Sequence, residues 1–140
     1  MRVLIDTDVV LNLLMARSPF NRAAVELFEL NERGKFEGYV SASTPLNAFY
    51  IARKVKGDEG ARRAIRQLLA EVSVCPITHA VLNDAFVLPF TDYEDAVQHA
   101  SATASQIEAI VTRNLDDYKN AALPIFAPAD FLNHLKAQQS

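Results

Sequence analysis

Cysteine is nearly missing from this chain: Cys75 is the only one. An intrachain disulfide and a Cys-rich zinc cluster are therefore excluded, and the chain fits a reducing compartment. Within the apolar run Val72 to Ile77, Cys75 itself reads as a small buried hydrophobe. No uninterrupted apolar stretch reaches membrane-spanning length. The start, Met1-Arg2-Val3-Leu4-Ile5-Asp6, lacks the apolar length and cleavage site of a signal peptide. The expectation is a soluble, cytoplasmic protein with no membrane partner. Excess positive charge is missing too: 14 Lys and Arg stand against 17 Asp and Glu, a net charge of -3. Bulk charge therefore does not drive nucleic-acid binding, and any such contact needs a local basic patch.

What is present is a hydrophobic half, 50% of 140 residues, enough for one core and too little for two ordinary domains. One domain over 1–140 is expected, since no repeat, low-complexity stretch or linker interrupts it. Val3-Leu4-Ile5 has no polar alternation, the pattern of a strand buried on both faces of a parallel sheet. A helix follows, capped by Thr7 or Asp8, with Val9, Val10, Leu13 and Leu14 inward. Asn21 to Arg33 reads as a second helix and Tyr39-Val40 as a strand. Ser43-Thr44-Pro45 reads as a helix start with Leu46, Phe49, Tyr50 and Ile51 inward. Another helix is expected from Asp58 or Glu59 to Ala70, a strand over Val72 to Cys75, and a Thr78-capped helix to Val87.

Thr91-Asp92-Tyr93-Glu94 has the form of a capping box, and Ala96, Ala100 and Ala104 give the helix it opens a small-residue stripe. Ile107 to Val111 and Pro124 to Phe126 are the last strands, and Pro128 to Lys136 the closing helix. Strands alternating with helices imply a three-layer α/β/α fold with a central, mainly parallel sheet of about five short strands.

Ligands of open parallel sheets bind beyond the carboxyl ends of the strands. Asp6 follows the first strand, Asn114 and Asp117 follow Ile107 to Val111, and Asp95 lies early in the helix before that strand. Each has a bland alternative as a cap or helix-start acid, but folding can bring Asp6, Asp95 and Asp117 to one rim. Crowded carboxylates raise one another's pKa unless a cation neutralises them. Oxygen-only ligands suit Mg²⁺ or Mn²⁺, and such an ion activates water for attack on a phosphodiester. Arg17 and Arg113 lie nearer this rim than Arg53, Lys54, Lys56, Arg62, Arg63 and Arg66, which suit helix ends and a solvated face. His79, His99 and His134 show no paired metal spacing; His99, one turn past Asp95, is placed to hydrogen-bond to it.

Taken together, Val3-Leu4-Ile5-Asp6-Thr7-Asp8, Asp92-Tyr93-Glu94-Asp95-Ala96 and Ile110-Val111-Thr112-Arg113-Asn114-Leu115-Asp116-Asp117-Tyr118 resemble the PIN-domain family in order and spacing over nearly the whole chain. The resemblance implies an acidic pocket holding Mg²⁺ or Mn²⁺ and cleavage of single-stranded or structured RNA, often as the toxin of a bacterial toxin–antitoxin pair. An antitoxin protein and a homodimer are the protein partners to expect. Asp6, Asp95 and Asp117 match the family's acids, with Asn114, Asp8 and Thr112 in support. The family usually has a glutamate in the helix after the second strand, where this chain reads Ser43-Thr44-Pro45-Leu46-Asn47. With Asn47 there, one negative charge is gone and metal affinity should drop.

Two other readings compete. Asp6-Thr7-Asp8 after an apolar strand mimics the nucleophile motif of haloacid-dehalogenase-type phosphatases, where the first Asp would carry the phosphoryl group and the second act as general acid. Against it, no Gly-Thr follows Asp8 and no lysine stands suitably before Asp116-Asp117. The loss of charge at Asn47 also leaves open a PIN-like module that binds RNA or protein without cutting.

Overall fold

The computed structural model describes residues 1–138, so the last two positions of the expected domain lie outside the described residues. Thirteen elements follow in order. Strand β1 (Arg2–Ile5) leads to helices α1 (Thr7–Leu14) and α2 (Asn21–Glu32), then to β2 (Glu37–Ser41), α3 (Ser43–Glu71) and β3 (Ser73–Cys75). Helix α4 (His79–Asp84) and a 3₁₀ turn (Ala85–Val87) precede α5 (Tyr93–Ala104) and β4 (Ala109–Val111). A second 3₁₀ turn (Leu115–Tyr118), β5 (Ile125–Phe126) and α6 (Pro128–Gln138) complete the chain.

The five strands pair in the order β3-β2-β1-β4-β5, all parallel. From central β1 the chain winds outward to β3, then returns to β4 on the other side. The strand order thus reverses between β1 and β4, where open parallel sheets leave a crevice. The register aligns Ile5 with Val111, and the Asp6 N–H donates to the Val111 carbonyl at 2.9 Å. Residues that follow these two strands must therefore lie side by side.

Side chains alternate across the sheet. Val3, Ile5 and Val111 join Val9, Val10, Leu27, Phe28 and Phe131 in the larger core, whereas Leu4 and Ile110 join Ala102, Ile107 and Tyr118 in the other. Val3, Leu4 and Ile5 are fully buried, the consequence of helical cover on both faces. This is the three-layer arrangement expected from the alternating pattern.

Several local expectations need correction. Asp6, not Thr7 or Asp8, caps α1: its backbone is still extended (φ -67°, ψ 154°) and its carboxylate accepts from the Thr7 N–H. Asp92, not Thr91, caps α5 by accepting from the Asp95 N–H at 3.0 Å, so the Thr91–Glu94 capping box does not form. In α3, Thr44, Ala48 and Ala52 face inward, while Leu46 and Tyr50 are 64% and 54% exposed. Small residues four apart let the helix approach α1 and β2 closely, which turns the large side chains outward. The break expected before Asp58 falls at Gly57, whose φ of 77° and ψ of 172° suit glycine alone. Ala104 is exposed at the end of α5, beyond the buried Ala96 and Ala100.

Candidate functional site

Asp6 is the centre of the rim. It is 5% exposed and carries three donors: Thr7 N–H and Gln98 Nε2 reach Oδ1 at 2.7 and 2.9 Å, and Thr112 Oγ1 reaches Oδ2 at 2.7 Å. These come from the start of α1, from α5 and from the end of β4, so Asp6 ties three elements together. Converging donors compensate the burial of a carboxylate and fix its orientation.

Asp8, one helical step on, turns toward the end of β4. Its Oδ2 accepts from the Arg113 N–H at 3.2 Å and lies 3.4 Å from Thr112 Oγ1, while its Oδ1 is buried without a partner. Burial and then the Asp6 charge push its carboxyl up to about 6, against the hydrogen bonds from Arg113 and Val9.

Asp95 is half-buried in the first turn of α5. Burial raises it to about 7, followed by the charges of Asp92, Asp6, Asp117 and Glu94. Asp95, Asp6 and Asp117 thus share one electrostatic neighbourhood, although they are 22 to 111 positions apart in the sequence. Asp117 is exposed on the 3₁₀ turn after β4, where its N–H donates to the Asn114 carbonyl at 3.1 Å. It is Asn114's backbone, not its amide, that opens this turn; the Asn114 N–H in turn donates to Thr112 Oγ1 at 3.0 Å.

Asn47 sits in the first turns of α3, and Nδ2 donates to Glu94 Oε1 at 2.8 Å. The contact places a carboxylate beside the position where charge appeared to be lost. Gln98 and the buried Asn12 are not among the candidate residues of the sequence, where Glu94 reads as a capping-box and helix-start acid rather than as part of the site. Gln98 lies three positions after Asp95 on a helix whose buried positions also include Ala96, Val97, His99 and Ser101, so no spacing in the sequence marks it. The Arg113 guanidinium lies 3.4 Å over the Phe20 ring and donates to Asn12 Oδ1 at 3.3 Å. Arg17 is exposed on the loop between α1 and α2. Of the more distant cations, Arg62 and Arg63 pair with Asp58 and Glu59 one turn earlier, and Arg53 lies against Tyr50. His99 does not meet Asp95: its Nε2 accepts from the Ala122 and Leu123 N–H groups at 3.1 and 3.4 Å, and burial lowers its pKa.

Among the described residues, no three His, Cys, Asp or Glu side chains are already gathered as a metal cage. The donor set nevertheless fits a hard divalent cation. It consists of oxygens alone, it leaves the buried Asp8 Oδ1 and Gln98 Oε1 unpaired, and burial followed by the charges of neighbouring acids raises Asp95. Mg²⁺ in particular binds through one or two carboxylates and keeps several waters, so a closed protein cage is not required. The same geometry disfavours an aspartyl-phosphate mechanism, because Asp6 is buried and both its oxygens are engaged by donors.

Comparison with known proteins agrees with this architecture. The PIN domain family model matches residues 2–116. No curated protein sequence matches at a significant level. Among solved structures, a DNA-bound VapBC from Salmonella typhimurium superposes with a TM-score of 0.71 at 16% identity, covering 91% of this chain and 98% of that one. A toxin–antitoxin complex from Klebsiella pneumoniae gives 0.68 at 22% identity, covering 90% and 97%. VapC20 of Mycobacterium tuberculosis, described as a sarcin–ricin loop cleaving toxin, gives 0.61 at 15% identity, covering 77% and 86%. With the strand order, the acids at the β1/β4 crevice and the family match over most of its length, the chain belongs to the PIN-domain family.

Proposed function

We propose that this chain is a divalent-metal-dependent endoribonuclease that hydrolyses single-stranded RNA and acts as the toxin of a toxin–antitoxin pair. The observation that carries the reading is the junction at Asp6, where Thr112 from β4 and Gln98 from α5 orient one buried carboxylate beside Asp95 and within the field of Asp117. The toxin–antitoxin complexes among the structural neighbours support an antitoxin as partner.

In this proposal Asp6, Asp95 and Asp117 hold Mg²⁺ or Mn²⁺. When bound there, such an ion would supply Lewis acidity and lower the pKa of a water for attack on the phosphodiester. Thr112 and Gln98 keep Asp6 aimed at the crevice. Asp8, accepting from the Arg113 N–H, braces the end of β4 beside Asp6. Arg17, exposed on the loop after α1, and Arg113, next to Thr112, would contact the RNA backbone, which positions the strand without reading its sequence. A homodimer belongs to the same proposal: Leu46, Tyr50 and Leu69 are exposed on α3, and the equivalent face of a second copy would cover them symmetrically.

One observation favours a second reading, an RNA-binding module without turnover: the α3 wall carries Asn47 rather than an acid. Incubation of labelled single-stranded RNA with Mn²⁺ or Mg²⁺ separates the two. The nuclease cuts with metal and stops with chelator. Retained RNA affinity without cutting favours the binding module, and an acyl-phosphate trapped on Asp6 would restore the phosphatase.

A further inference from the structure

Although the first turns of α3 contribute no acid, a carboxylate stands against them. Thr44 is fixed next to the end of β1 by its hydroxyl contact with Thr7 at 2.8 Å. Asn47 lies three residues further on, on the same face of the helix. Its Nδ2 reaches Glu94 Oε1 at 2.8 Å, a contact between residues 47 positions apart.

Glu94 is not occupied in helix capping, since Asp92 performs that role. Its charge acts on the neighbouring Asp95. An amide hydrogen bond holds it where a surface glutamate at a helix start would ordinarily sample many rotamers. A second feature points to a cation beside Asp6. Gln98 is 2% exposed and its Nε2 donates to Asp6, yet its Oε1 has no partner. A buried unpaired acceptor beside several carboxylates leaves negative potential with nothing to offset it.

We propose that Glu94, oriented by Asn47, supplies the carboxylate of the α3 wall and contributes to divalent-cation binding beside Asp6, Asp95 and Asp117. The inference rests on the metal-dependent function proposed above and identifies how this chain makes up the missing charge. Asn47 is a positioning residue, its nitrogen committed to Glu94. The charge has moved from α3 to α5 while keeping its place at the crevice. Affinity for hard divalent cations follows the number of charged oxygens and the rigidity with which they are held, so both residues should matter, Glu94 through its charge and Asn47 through orientation.

The test is Mn²⁺ affinity of the full chain, measured by calorimetry and by the electron spin resonance signal of free Mn²⁺, with melting of the metal-free protein as a check on folding. Glu94→Gln keeps the shape and removes the charge; it should weaken Mn²⁺ binding at least ~10-fold, in line with outer partners of metal sites. Asn47→Ala keeps every charge and should lose part of that affinity. Asn47→Glu combined with Glu94→Gln returns the charge to α3 and should recover it. Unchanged affinity in Glu94→Gln, or a loss that the double variant does not recover, overturns the inference while leaving the metal site of the wild type standing. A wild-type chain that binds no Mn²⁺ overturns the proposed function and this inference with it.

Discussion

Thr112 Oγ1 donates to Asp6 Oδ2 at 2.7 Å across the seam between β1 and β4. The same hydroxyl lies 3.4 Å from Asp8 Oδ2 and accepts the Asn114 N–H at 3.0 Å. Its single proton serves Asp6, the nearer acid, and leaves Asp8 weakly satisfied.

Thr112→Val should therefore destabilise the fold. It removes a buried hydrogen bond to a carboxylate, a loss of about 1.5–3 kcal/mol, and leaves the Asn114 N–H to find another acceptor. Urea unfolding checks this, with Thr112→Ser retaining most of the stability. A Thr112→Val protein within about 0.5 kcal/mol of wild type would mean that the bond is incidental.

Asp95, raised to about 7, makes the metal-free protein sensitive to pH. Between the unfolded aspartate value, ~4, and about 7, the folded state holds a proton that the unfolded state has released. This contribution to stability is fully present at the lower limit and lost as pH rises through the window. Asp8, raised to about 6, acts in the same direction. His99, lowered by burial, acts oppositely, because the unfolded chain takes up its proton first as pH falls. Comparing Asp95→Asn with wild type cancels the His99 contribution. The melting-temperature advantage of Asp95→Asn should grow from about pH 4 to about pH 7 and then level off. A difference that shrinks as pH rises would contradict the assigned effect of burial and repulsion on Asp95.

Tyr118 carries a buried hydroxyl with no partner, and its pKa is pushed up by burial and then by Asp6, Asp95, Asp8 and Asp117. Tyr118→Phe removes an unsatisfied polar atom and keeps the ring against Phe90. Stability should hold or rise by up to about 1 kcal/mol. A fall larger than that in thermal or urea unfolding would show that the hydroxyl has a partner in solution.

The fold was readable where chemistry is local. Val3-Leu4-Ile5 without polar alternation identified a doubly covered strand, and an acid at its end marked the crevice. Asp95, early in a helix with a small-residue stripe, could be assigned to the same rim as Asp6 and Asp117. What stayed hidden depends on contacts between distant segments. The Asn47–Glu94 bond joins α3 to α5, and the Gln98–Asp6 bond spans 92 positions; neither has a spacing that one sequence can reveal. Leu46 and Tyr50 turn outward because close helix packing favours the small Thr44, Ala48 and Ala52 on the inner face, a constraint of size that hydrophobicity alone does not express.

That outward face carries the prediction on assembly. Leu46→Asp, on an exposed residue, should leave the stability of the monomer nearly unchanged, within about 0.5 kcal/mol, convert a dimer to a monomer in light scattering, and make melting independent of protein concentration. A wild-type chain that stays monomeric at concentrations of tens of micromolar, on the order of those used for such measurements, would remove the homodimer from the proposal.

The most direct test of the whole account is the rate at which Asp95→Asn cuts labelled single-stranded RNA in Mn²⁺, relative to wild type. Removing this acid should relieve repulsion and leave a folded, more stable protein, while slowing metal-dependent cutting by more than the ~10–100-fold typical of an outer metal partner. A folded Asp95→Asn protein that cuts within a few-fold of wild type would contradict the claim that the rim built around Asp6 and Asp95 is the catalytic centre.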